Sequence, residues 1–146
     1  MHIKYRLYEI KNKIKWAFQR MRRGYDDSAV WNMDGWFIDT MRRMLRQLQK
    51  EFHSYPVDMT EKEWSEVLGR MIFLLREMDE DKCTYKNPFE EAYMAQFDPS
   101  RPLTKVGSTD LDKLYFGEEN NKFKYMDLCK EEFFDLFSKH FYNLWD

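Results

Sequence analysis

Glycine and proline are scarce in this chain of 146 residues, at 5 and 4, which excludes collagen-like, linker and low-complexity classes. Cysteine is scarcer still. Cys83 and Cys129 cannot supply the disulfide framework that small secreted domains need, so both are expected to be free thiols of a reducing compartment. Long apolar runs are missing as well. Lys4, Arg6, Glu9, Lys11, Lys13 and Lys15 interrupt every such run near the start. That leaves neither a signal-peptide core of about 7 to 15 residues nor a membrane span of about 20. The expectation is a cytoplasmic protein with no membrane-spanning segment.

What the chain does contain is 43% hydrophobic and 34% charged residues, with 18% aromatic. This length and apolar content suit one domain over residues 1–146 with a substantial core. The net charge of −2 hides a segregation: residues 1–24 carry eight Lys or Arg against Glu9 alone, so a +7 segment adjoins a −9 remainder. Such asymmetry points to a partner for the basic end, or to a basic helix lying against its own acidic domain.

Helical spacing dominates. Ile3, Leu7, Ile10, Ile14, Phe18 and Met21 recur at steps of 4, 3, 4, 4 and 3, one face of a helix that Gly24 then stops. Met33, Phe37, Thr40, Met41, Met44, Leu48 and Phe52 mark a second helix, beginning near Ser28 and ending before Pro56. Gly35 is its weak point and marks a close approach, expected from a neighbouring helix. Thr60-Glu61-Lys62-Glu63 is a capping box opening a third helix to about Asp79. Asn87-Pro88 caps a short helix over 88–97, and no sustained period is visible from there to Asn121. A final stripe runs from Phe123 through Cys129, Phe133 and His140 to Leu144. The pattern predicts an all-α fold: a four-helix up-and-down bundle with a long irregular excursion, 80–121, between helices 3 and 4.

Chemistry-bearing residues crowd at Arg22-Arg23-Gly24-Tyr25-Asp26-Asp27-Ser28, followed by Trp31 and Asp34. On one continuous helix Asp27, Trp31 and Asp34 share a ridge. Asp26, Asp27 and Asp34 can then hold a hard divalent cation, or the first two can cap a helix while Asp34 pairs with an Arg. His2, His53 and His140 are at no ligand spacing, and no phosphate loop, nucleophile elbow or metalloprotease helix is present. The basic helix, with Tyr5, Tyr8 and Trp16 among its charges, suits a phosphate backbone or a membrane surface. The acidic remainder repels a nucleic-acid duplex, ranking nucleic acid below a protein or small anionic partner.

The stretch Arg22 to Asp34, the turn His53-Ser54-Tyr55-Pro56 and the ending Phe137 to Asp146 resemble small helical proteins encoded by tailed phages and prophages, over roughly 17–78 and 130–146. The resemblance implies a setting in an infected cell and no defined activity. Within that setting the expected function is non-enzymatic. The protein would bind and sequester or block a host component, a host protein or a nucleotide-like immune signal, with no cofactor and no metal. Arg22, Arg23, Tyr25, Asp26, Trp31 and Asp34 are the candidate ligand-binding residues: arginines for phosphate, Tyr25 and Trp31 for stacking. The alternatives are a divalent-metal-dependent hydrolase built on Asp26, Asp27 and Asp34, and an oligomeric assembly factor.

Overall fold

A computed structural model describes residues 2–96 and 109–145. Those residues are all-α, with no strand among them. The helices are α1 (His2–Arg23), α2 (Asp27–Trp31), α3 (Met33–Glu51), α4 (Glu61–Glu77), α5 (Glu90–Ala95) and α6 (Asp110–His140), closed by a 3-10 turn over Phe141–Asn143. The chain divides into two compact units, Met1–Thr40 and Met41–Asp146.

In the first unit α1 ends where Gly24 takes φ +80°, a left-handed conformation that glycine reaches without steric cost. The Gly24 amide returns to the Arg20 carbonyl at 2.9 Å. The expected second helix is split in two. Asn32 leaves helical geometry at φ −135°, ψ 58°, closing α2, and its carbonyl accepts the Trp36 amide at 3.0 Å as α3 begins. The nearest approach at Gly35 is made by Asn32, the C-cap of the preceding α2: a Cβ on Gly35 would stand 2.6 Å from the Asn32 side-chain nitrogen. Asparagine competes for backbone hydrogen bonds, and a glycine in the next turn leaves space for its side chain.

In the second unit α4 is the central element. Thr60 and Glu63 form the expected capping box. Trp64, Leu68, Met71, Leu74 and Leu75 are completely buried, with Phe133 of α6 also sealed from solvent. Most of the packing joins α4 to α6, and at its surface Arg70 grips Glu132 through two bonds of 2.6 Å. Gly69 admits Gln49 of α3 closely enough to donate to the Ser65 carbonyl at 2.8 Å.

The irregular excursion over 80–121 is corrected at both described ends. Thr109 and Asp112 form a second capping box, so α6 starts at Asp110 and residues 110–121 are its opening turns. The stretch before α5 is tied to those turns: Asn87 donates to the Tyr115 carbonyl at 3.0 Å and to Glu119 at 2.8 Å, and the Tyr85 hydroxyl donates to Glu118. Tyr93 of α5 stacks on Tyr115 with ring centres 3.9 Å apart. The helix is held here by polar and aromatic contacts, which leave no apolar period to read. Residues 97–108 of the expected excursion, with the end of the 88–97 helix and Asp146 of the closing motif, lie outside the described residues.

Candidate functional site

The residues after Gly24 fold into an elbow against α1. Asp26, in extended backbone at φ −114°, is the N-cap of α2: its Oδ1 accepts the Ser28 amide at 2.9 Å, the Ala29 amide at 3.2 Å and the Ser28 hydroxyl. Its other oxygen takes the Arg20 guanidinium. The Ser28 hydroxyl, outweighing burial and joined by Arg20 and the two amides, holds the Asp26 carboxyl below its ordinary range.

Asp27 gathers three donors from one ridge of α1. Lys15 reaches Oδ2 at 2.7 Å and Gln19 reaches the same oxygen at 2.8 Å, while Arg23 bonds Oδ1. These residues stand four apart, so successive turns of α1 present them in a row. Gln19 also accepts the Asp27 amide at 3.1 Å. Lys15 first, then Gln19 and Arg23, push the Asp27 carboxyl well below the usual carboxylate range. The Arg23 guanidinium lies over the Tyr25 ring at 4.7 Å and donates to the Tyr25 carbonyl at 3.1 Å.

Of the six residues singled out from sequence, the elbow thus brings together Arg23, Tyr25 and Asp26. Arg22, Trp31 and Asp34 are exposed, and no described hydrogen bond or ion pair joins them to the elbow. The ridge expected to carry Asp27, Trp31 and Asp34 is broken, because Asn32 ends α2 and Asp34 belongs to the first turn of α3. Among the described residues no three His, Cys, Asp or Glu side chains gather as a metal-holding group.

The elbow binds the polar ridge of α1, and this decides what its apolar face does. Gln19 lies five residues beyond Ile14, about 140° around a helix of about 3.6 residues per turn. Ile10, Ile14, Phe18 and Met21 are accordingly turned away from the elbow, and they are 54%, 66%, 58% and 79% exposed. Trp31 is 91% exposed.

Sequence reasoning missed one constellation in the second unit. Glu77, at the end of α4, is fully buried, and its carboxylate accepts from the Thr84 amide at 2.9 Å, the Thr84 hydroxyl at 2.6 Å, Arg76 at 2.9 Å and the Tyr125 hydroxyl at 3.1 Å. The Cys83 thiol approaches at 3.8 Å. Burial pulls the Glu77 pKa up, but Thr84, Arg76 and Tyr125 outweigh it and hold it at about 2. Tyr125 is pushed up to about 12 by burial, then by Cys129 and Glu77. Burial likewise raises the pKa of both free thiols, Cys83 and Cys129, which makes them poor nucleophiles. The cluster pins the loop after α4 to α6. No sequence signal marks it, since Glu77 continues an ordinary charged helix end.

His140 is also buried. It meets the ring of Trp64 edge-on at 5.5 Å, and burial first, then Lys139, lower its pKa against an opposing pull from Asp58. A shallow apolar groove of about 300 Å³ is lined by Met41, Met44, Leu45, Leu48 and Leu144. No helix among the described residues is long and apolar enough to cross a membrane.

Comparison with known proteins finds no matching family model, curated protein or solved structure, so the site is read from its own geometry.

Proposed function

We propose that this chain is a non-enzymatic binding protein that occupies or blocks a host component through its first unit. The resemblance to phage-encoded helical proteins supports that setting. The observation that carries the reading is the orientation of α1: its Lys15, Gln19 and Arg23 ridge holds Asp27, while Ile10, Ile14, Phe18 and Met21 stand in solvent. Exposed apolar surface of this kind, bordered by charge, is characteristic of interaction sites.

The same pairing shifts the partner away from a small nucleotide-like signal held in the elbow. Lys15, Arg20 and Arg23 already meet Asp27 and Asp26, so an incoming phosphate has to displace a carboxylate to reach them. A hydrolase built on Asp26, Asp27 and Asp34 has weaker geometric support. The oxygens of the first two are occupied by donors, and Asp34 starts a separate helix.

Native mass spectrometry of the protein recovered from its own host tests the proposal. The parent is expected to retain a bound component that an Ile14→Ser/Phe18→Ser variant loses while its far-UV circular dichroism stays unchanged. Equal retention by the variant, or recovery of the parent free of protein, small-molecule and lipid components from both the soluble and the membrane fraction, refutes it.

A further inference from the structure

The partner of α1 follows from the order of charge around its apolar face. Beside Ile10, Ile14, Phe18 and Met21, Lys11 and Arg22 border one edge and Arg6 and Lys13 the other. All four cations are exposed and none has an acidic partner among the described residues. The one acid of α1, Glu9, precedes Ile14 by five residues and so lies toward the far side. From Ile10 to Met21 this band runs about 17 Å at about 1.5 Å per residue. It is apolar along its middle, with positive charge along both margins.

We propose that α1 lies in the plane of an anionic phospholipid bilayer, with Ile10, Ile14, Phe18 and Met21 among the acyl chains and Arg6, Lys11, Lys13 and Arg22 at the headgroups. The inference rests on the reading of α1 as the binding face and names what that face binds. A helix of low mean hydropathy with a strongly basic polar side and large apolar residues opposite partitions into the headgroup boundary, about 5 to 10 Å deep, without crossing the membrane. Two cationic margins match a surface that is anionic on both sides of the inserted stripe. A protein groove matches them only if both of its walls are acidic. Long Lys and Arg stems also let the charge reach the headgroups while the helix axis sinks. Residues 25–146 sum to −9, so an anionic surface attracts α1 and repels the rest of the chain.

Flotation of the full chain with vesicles tests this. Vesicles of three parts phosphatidylcholine to one part phosphatidylglycerol are expected to carry the protein, and phosphatidylcholine alone to bind it at least about tenfold more weakly. Raising salt from about 0.1 M to about 1 M shortens screening from about 10 Å to about 3 Å and should release it. Phe18→Ser/Met21→Ser and, separately, Lys11→Glu/Lys13→Glu should each lower binding at least about tenfold. Neither pair touches an elbow hydrogen bond, and a Leu128→Ser change on α6 should leave flotation as it was. Absence of flotation, equal flotation with neutral vesicles, or indifference to both double variants overturns the inference. If vesicles do not bind but light scattering shows a doubled mass that Phe18→Ser/Met21→Ser reverses, a second copy covers the face. The bilayer inference then fails while α1 remains the binding face. If these variants alter neither retained partner, flotation nor mass, both readings fall.

Discussion

Glu77 shows how a single side chain can be costly and stabilising together. A carboxylate sealed from water is unfavourable unless its oxygens are satisfied, and Thr84, Arg76 and Tyr125 satisfy them. Its folded pKa of about 2 lies below the ordinary 4.5. The ionised group therefore contributes its full stability above about pH 4.5, and that stability is lost as pH falls through about 2. The shift corresponds to about 3 kcal/mol. Urea unfolding at neutral pH should show Glu77→Gln destabilised by a similar amount, because the amide nitrogen faces a donor it cannot accept from. Between pH 4.5 and 2 its stability should fall by less than the parent's, the difference being the Glu77 contribution, since the other carboxylates with lowered pKa remain in both proteins. An equal pH response in both proteins would remove Glu77 from this role. Asp27 is the opposite case: its depressed pKa arises at the exposed surface from three donors on α1 and reports local geometry more than stability.

Among the elements, three glycines separate propensity from packing. At Gly117, inside α6, an added Cβ meets nothing within 4 Å, so Gly117→Ala should stabilise by about 0.5 to 1 kcal/mol, read as a higher thermal midpoint. At Gly35 the same change drives a methyl into Asn32, which is expected to lower the midpoint and disturb the α2–α3 junction. Gly24→Ala should cost about 1 kcal/mol, because φ +80° is unfavourable for any side chain although space is free. If Gly117→Ala and Gly35→Ala shift the midpoint alike, the close contact at Asn32 has no energetic weight. The start of α6 teaches a related lesson. Thr109 and Asp112 carry a capping signal, but Gly117 and the run Glu118-Glu119-Asn120-Asn121 obscure the helix behind it. Tyr115, Glu118 and Glu119 are engaged by Tyr93, Tyr85 and Asn87, partners that no local pattern announces.

At the scale of the whole molecule, stability and charge are separable. The core of the second unit is apolar, built on Trp64, Leu68, Met71, Leu74, Leu75 and Phe133. Truncating Phe133→Ala should cost about 3 to 5 kcal/mol in urea unfolding. Ion pairs such as Arg70–Glu132 are half-exposed and each contributes about 0 to 1 kcal/mol. Thermal melts from low salt to about 1 M should accordingly move little, even over the range in which α1 is expected to leave an anionic surface. A melting temperature that collapses with salt would mean that charge, and not the apolar core, holds the fold.

The amino-acid order is enough to specify the helix rhythm, the stop at Gly24, the cap at Thr60 and the division of charge at residue 24. These depend on neighbours three or four positions apart, and local backbone chemistry enforces them. Asp26 was legible for the same reason as one of three candidate caps, whereas the stacking of Arg23 on Tyr25 was not legible in the sequence. Tertiary contacts alone decided the burial of Glu77 and the partners that hold the opening turns of α6, since each depends on side chains meeting atoms far along the chain. The break at Asn32 is instead a local competition that the helix rhythm masks. Tertiary contacts also decided which way α1 faces. The sequence shows two faces, one apolar and one polar, and hydrophobicity alone would bury the first. The three donors that converge on Asp27 turn the polar ridge toward the elbow instead, and leave the apolar face to solvent.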